Sequence, residues 1–231
     1  MNLLLCSATP LELEPTLGWL RERAEATERN VLRFGRVSLE VLFTGVGPTA
    51  TAFALGHRFG GAGLPQLAIQ AGVAGAFDRE LRLGEVVRVT SERFGDLGAE
   101  DRDGTLLTLT DIGLPPGPPF DGAGVLTAPD PVASLPFPPA AGLTVNRTSG
   151  SAATIAKLRH SFPDAQVETM EGAAFFYACL QAGVEPLQLR AVSNYVTPRD
   201  RSAWRMAEAI QGLDAALRQL LGAFLGEAGA E

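Results

Sequence analysis

The chain has 231 residues, 46% of them apolar and 19% charged, enough to bury a sizeable core as one large α/β domain or two small ones. A formal net charge of −7 with scattered arginines argues against nucleic acid or an anionic membrane surface as the main partner. Cys6 and Cys179 are the sole cysteines and sit in apolar runs, which argues against a disulfide-stapled secreted framework. The N-terminal run has no basic region before it, and no stretch approaches the roughly 20 apolar residues that span a bilayer. A cytoplasmic protein with reduced core thiols is expected.

In chain order, the continuous apolar run Asn2–Ser7 predicts a buried strand, followed by a helix from about Pro10 to Arg23. Val31–Phe34 and Ser38–Thr44 read as strands around the turn Gly35-Arg36. The loop Gly45–Gly47 opens a helix of roughly a dozen residues that Gly60-Gly61 ends. Leu67–Gln70 reads as a buried strand, with a small-residue loop Ala71–Gly75 after it, and Glu85–Glu92 as a β-branched strand. Proline and glycine recur without period from Pro115 to Pro139, which predicts an irregular loop over the surface. Then come a strand (Gly142–Asn146), a helix (Ala152–Phe162), a strand (Ala165–Thr169) and a helix (Met170–Ala182). The strand Pro186–Ser193 and a helix from Ala203 to Leu225 complete the pattern. Such alternation predicts an α/β fold with a mixed, twisted β-sheet covered by helices on both sides. With no internal repeat and no linker, residues 1–231 are expected to form a single domain.

Ligands of open α/β sheets bind at the carboxyl ends of strands, so residues just after strands carry the information. Glu12 follows the first strand within Thr9-Pro10-Leu11-Glu12, which fits a helix cap with proline at the first helical position. A carboxylate there also suits a general base, and local spacing leaves both roles open. Gly45-Val46-Gly47-Pro48-Thr49-Ala50 fits a permissive dinucleotide fingerprint. The acid that would hold a ribose about 20 positions on is absent from Leu67–Ala71, so the glycines read better as a turn bringing backbone close to a ligand or strand.

Met170-Glu171-Gly172 lies where a strand passes into a helix. Glu171 is either a solvated first-turn acid favouring the helix dipole or a buried carboxylate that needs partners. Ser193-Asn194-Tyr195 ends another apolar strand, where asparagine is ordinarily a turn residue. His57 and His160 lack metal-ligand spacing, and with two cysteines they form no zinc pattern.

Together these segments resemble the purine nucleoside phosphorylase/uridine phosphorylase superfamily, in its nucleosidase branch. The stretch Ile155–Pro163, running on to Met170-Glu171-Gly172-Ala173-Ala174, is similar to methylthioadenosine/S-adenosylhomocysteine nucleosidases. So are Cys6 to Glu12, the Gly45-Val46-Gly47 and Gly72-Val73-Ala74-Gly75 segments, and Arg190-Ala191-Val192-Ser193. Where adenine-specific nucleosidases carry an aspartate after the serine, this chain has Asn194. The runs Ser193–Arg199 and Glu92–Gly98 resemble the futalosine hydrolase family, which releases hypoxanthine on the futalosine route of menaquinone biosynthesis.

The resemblance implies that Glu12 activates water, Glu171 binds the ribose hydroxyls, Met170 packs on the sugar and Asn194 meets the purine near N7 and position 6. It implies that Val73, Ala74 and Gly75, with Thr148 and Ser149, line the nucleoside pocket. It implies hydrolysis of futalosine to hypoxanthine and dehypoxanthine futalosine, with no metal or organic cofactor and with assembly as a homodimer or higher homo-oligomer. Arg199 and Arg201, which follow Asn194 in a proline-bearing loop, are candidates to read the carboxylate of futalosine, against the plainer reading of solvated surface arginines.

N-glycoside hydrolysis forms an oxocarbenium-like sugar and an electron-rich leaving base. An ionised Glu12 takes the water proton, and Glu171 favours positive charge at the anomeric carbon. An asparagine amide is no general acid, but it offers a donor and an acceptor together, suiting N7 and O6 of hypoxanthine. The rival readings are a purine nucleoside phosphorylase, an adenosine-type nucleosidase, a non-enzymatic nucleoside-binding protein and an NAD-binding domain. The first would need phosphate ligands, and Ala71–Gly75 offers only small apolar side chains and backbone amides.

Overall fold

The computed structural model describes residues 1–61, 63–129 and 135–226. Strand β1 (Asn2–Ser7) leads into helix α1 (Pro10–Arg23), then β2 (Ala26–Glu28), β3 (Val31–Phe34) and β4 (Val37–Phe43). Helix α2 (Pro48–Phe59) is followed by β5 (Leu67–Ala76), β6 (Val86–Phe94) and three short strands, β7 (Gly98–Glu100), β8 (Leu106–Thr108) and β9 (Leu126–Thr127). The remainder is β10 (Pro139–Thr144), α3 (Ala152–Ser161), β11 (Val167–Thr169), α4 (Gly172–Ala182), β12 (Glu185–Tyr195) and α5 (Met206–Leu225). A single 3-10 turn, Arg201–Ala203, precedes α5.

Successive side chains of a strand point to opposite faces, and β1 shows what that does here. Leu3 and Leu5 pack with α1 and α5 residues such as Leu13, Leu17, Leu213 and Leu217. Leu4 and Cys6 pack on the other face with Leu55 of α2 and Phe175, Phe176 and Cys179 of α4. A strand buried on both faces has to be apolar throughout, which is why it reads as a continuous run. Burial pushes the Cys6 thiol up to about 12, so it remains a neutral core side chain.

The ten-stranded sheet runs β11-β10-β6-β12-β5-β1-β4-β3-β2, with β9 on β6. It is mixed: β1 lies parallel to β4 and β5, and β12 lies parallel to β5 but antiparallel to β6. Strand β5 is the hinge of the architecture. Its first half pairs with β1 through Leu67–Gln70, while Gly75 and Ala76 pair antiparallel with β11. That second pairing closes β5, β12, β6, β10 and β11 into a ring and brings β11 beside strands from which the chain order separates it.

Two sequence expectations are corrected. Ala71–Gly75 is not a loop: β5 continues through it to Ala76, held by the β12 and β11 ladders, and local smallness concealed this pairing. The 115–139 stretch is not wholly a surface loop either. Leu126 is fully buried, Phe137 joins the α1/α5 core, and β9 pairs with β6; residues 130–134 of that reading lie outside the described residues. Strands β2, β7, β8 and β9 carry too few residues to show a periodicity.

Candidate active site

The carboxyl ends of β1, β5, β11 and β12 and the start of α4 converge on a cavity of about 350 Å³. Every site residue expected from sequence lines it except Arg199 and Arg201: Glu12, Val73, Ala74 and Gly75 on one side, with Thr148, Ser149, Met170, Glu171 and Asn194 around them.

Glu12 both ties back the start of α1 and lines the cavity, so its place is compatible with either of the roles that spacing left open. Its Oε2 accepts from the Thr9 amide at 3.1 Å, tying back the start of α1, and from Ser7 Oγ at 2.6 Å. Its Oε1 accepts from the Val73 amide at 3.2 Å and faces the cavity. The carboxylate is therefore fixed from three directions while one edge stays open to a ligand. A base held in this way loses little freedom when it acts.

Glu171 is 5% exposed, which discards the solvated first-turn alternative. Its partners come from far along the chain: the Gly47 amide at 3.1 Å and Arg190 Nη1 at 3.3 Å. The first of these explains the glycine loop. Gly45 and Gly47 take φ of +82° and +93°, a region open to glycine, and the resulting turn aims an amide at Glu171.

Arg190 was missed in the sequence reading as a functional side chain. It is 2% exposed, and its guanidinium also bonds Gln188 Oε1, Gln70 Oε1 and the Val73 carbonyl. A Cβ at Gly72 would stand 2.6 Å from Arg190 Nη1 and 2.8 Å from Glu12 Oε1, so glycine there lets guanidinium and carboxylate approach one point. An arginine inside an apolar strand is a signal in itself, because a buried charge requires partners. Glu92 lies behind this group, fully buried, accepting from Thr144, Thr169 and Gln188. Burial pushes its carboxyl up to about 7, against the pull of Arg190 and those hydrogen bonds.

Asn194 stands at the other end of the cavity. The β5–β12 register slips between Val192 and Asn194, so Ser193 is the extra residue of a bulge that re-aims both side chains. Asn194 Nδ2 donates to the Tyr195 carbonyl at 3.1 Å, which fixes the amide orientation, and Oδ1 accepts from Ser193 Oγ at 2.9 Å. One N–H and one acceptor position stay free. Gly75 makes room: a Cβ there would lie 3.2 Å from Asn194 Nδ2.

Along β5, then, Gly72 marks the carboxylate–guanidinium pole and Gly75 the amide pole, three residues or about 10 Å apart. A nucleoside laid between them would put its sugar at Glu12, Glu171 and Met170 and its base at Asn194. Trp204, Met206 and Ile210, at and just before the start of α5, form an apolar wall that sequence did not single out. Arg199 stands behind this wall, exposed, with its guanidinium 5.7 Å from the Trp204 ring and its backbone amide bonded to Gly150.

Residues 3–225 match the family described as the phosphorylase superfamily. The chain is 37% identical over 191 residues to a futalosine hydrolase of Streptomyces coelicolor, covering 78% of this chain and 77% of that one. It is 34% identical over 190 residues to a futalosine hydrolase of Thermus thermophilus, covering 78% and 80%. Among solved structures, the native futalosine hydrolase of Helicobacter pylori superposes with a TM-score of 0.77 at 15% identity, over 96% of this chain and 98% of that one. A methylthioadenosine/S-adenosylhomocysteine nucleosidase of Neisseria meningitidis, bound to methylthio-immucillin-A, superposes at 0.71 with 19% identity, over 96% and 99%. These two share the fold. The chain belongs to the phosphorylase superfamily, and within it to the futalosine hydrolase family.

Proposed function

We propose that this chain is an N-ribosyl hydrolase that cleaves futalosine to hypoxanthine and dehypoxanthine futalosine, as one nucleosidase domain. Glu12 takes the proton of the attacking water, Glu171 holds the ribose hydroxyls, and the two carboxylates favour positive charge at the anomeric carbon. Met170 packs on the sugar, and Asn194 offers its free N–H to O6 and its free acceptor position to a protonated N7. Arg190 holds Glu171 in place through their ion pair.

The observation that carries hydrolysis is the Val73 amide. An anion cradled by the end of β5 would need that donor, and Glu12 Oε1 already occupies it. A phosphate there would also meet the Glu12 charge directly, so water is the nucleophile this site suits. The test is incubation with futalosine in phosphate-free buffer, with release of hypoxanthine followed by chromatography. Turnover that requires phosphate and yields a ribose 1-phosphate would replace this reading by phosphorolysis.

This reading extends to the surroundings. The buried thiols of Cys6 and Cys179 suit a reducing cytoplasm. Among the described residues, no helix is long and apolar enough to cross a membrane. Assembly as a homodimer is supported by exposed apolar side chains on the packed pair α2 and α4, Phe53 at 76% and Tyr177 at 39% exposure. Sedimentation of the purified chain checks it.

A further inference from the structure

Three buried carboxylates line the cavity, and the reading above employs two. The third is Glu168, 5% exposed, on β11. Its known partners are both in Ser149: the amide reaches Oε1 at 3.0 Å and Oγ reaches Oε2 at 2.5 Å. A carboxylate oxygen accepts two hydrogen bonds, so each oxygen keeps one acceptor position. Because Glu168 lines the cavity, a donor on a bound ligand can reach these positions.

Its place in the sheet says which part of a ligand that would be. Glu168 lies opposite Gly75 on one edge of β5, and Asn194 lies opposite the same Gly75 on the other edge. Adjacent strands are about 4.8 Å apart, so the two residues flank a side-chain-free position with about 10 Å between their backbones. A flat base whose six-membered ring points at Gly75 meets Asn194 on one side and Glu168 on the other. A 6-oxopurine presents N7, O6 and N1–H in that order along this edge. Asn194 takes the first two, and the next group is a donor. Adenine presents a lone pair at the same position.

We propose that Glu168 is a specificity-determining residue that accepts the N1–H of the leaving 6-oxopurine, completing with Asn194 a reading of three adjacent groups on the base. The inference rests on the nucleosidase reading above and adds to it a second, independent barrier to adenine: a carboxylate facing the N1 lone pair. Burial pushes the Glu168 carboxyl above its ordinary range, against the pull of the Ser149 bonds. A donor from the base offsets that cost and favours the ionised form.

The test uses free bases as inhibitors of futalosine hydrolysis by the whole chain. Hypoxanthine carries the N1–H, and 1-methylhypoxanthine lacks it. Wild type is expected to bind hypoxanthine at least about tenfold more tightly, the range of a hydrogen bond to a charged group. In Glu168→Ala hypoxanthine weakens by a similar factor while 1-methylhypoxanthine does not, so the ratio falls towards one. If Glu168 only anchors the Ser149 loop, both bases weaken together and the ratio stays at its wild-type value, which overturns the inference. Glu168→Gln supplies a second arm should the alanine variant fail to fold. Its amide N–H can serve adenine N1, so adenine inhibition should strengthen relative to hypoxanthine, and an unchanged adenine-to-hypoxanthine ratio also overturns the inference. Wild type that leaves futalosine intact sinks the parent reading, whereas turnover with unaltered ratios sinks this step alone.

Discussion

Glu171 Oε2 and Arg190 Nη1 are 3.3 Å apart, and the two side chains are 6% and 2% exposed, so the cavity is backed by an ion pair sealed from water. Removing one partner of such a pair strands a buried charge, which costs about 3–5 kcal/mol. Arg190→Ala is therefore expected to lower the urea midpoint markedly and to abolish turnover. Glu171→Gln, which keeps the shape and an acceptor, is expected to stay folded while kcat falls. Equal kcat in Glu171→Gln and wild type would reduce Glu171 to a structural partner of Arg190.

Glu12→Gln separates the proposed base role from the bonds at the helix start. One amide oxygen still serves Ser7 and Thr9, but the NH2 group then faces the Val73 N–H, a donor set against a donor. Stability should fall by about 1 kcal/mol and turnover by roughly 10²–10⁴ fold. Near wild-type turnover in a folded variant would leave Glu12 with the helix start alone.

Asn194 is expected to set the choice of leaving base. Paired inosine- and adenosine-type substrates isolate position 6 through kcat/KM, and wild type should favour the 6-oxopurine. Asn194→Ala should cost at least about 1–3 kcal/mol on that substrate. Asn194→Asp should lose futalosine activity and move the preference towards 6-aminopurines, since a protonated carboxyl donates to N7. A wild type that prefers adenine nucleosides would point to an adenosine-type nucleosidase instead.

The buried Glu92 predicts a pH dependence of stability. Its carboxyl sits at about 7 in the folded chain against 4.5 ordinarily, so between those values the folded state holds a proton that the unfolded chain releases. The contribution is full below about 4.5 and is lost as pH rises through 7, a change on the order of 3 kcal/mol. Urea unfolding at pH 5 and pH 8 should show wild type losing more stability than Glu92→Gln over that interval. Parallel losses in the two proteins would refute the assignment.

Arg199 and Arg201 are tested together. Both are exposed, and Arg199 sits over Trp204 beside the apolar wall of the cavity. Their double alanine variant should raise KM for futalosine and spare inosine, which lacks the 5′ carboxylate. Equal effects on both substrates would turn attention to Arg93 and Arg147.

The sequence by itself determined the local elements wherever a residue's neighbours in the chain are also its neighbours in space. The continuous run of β1, the Thr9–Glu12 start of α1 and the Gly60-Gly61 end of α2 were legible for that reason. Asn194 was legible too, as a substitution within a recognisable run, which fixed the expected base before any geometry. What only the tertiary structure decided concerns pairs far apart in the chain. Gly47 reaches Glu171 across 124 positions, Val73 reaches Glu12 across 61, and β11 closes onto the end of β5. That last pairing turned an expected loop into a strand and set Glu168 opposite Gly75. The reason is physical: a short run of small residues has no strong backbone preference of its own, so its conformation belongs to whichever strands bond to it.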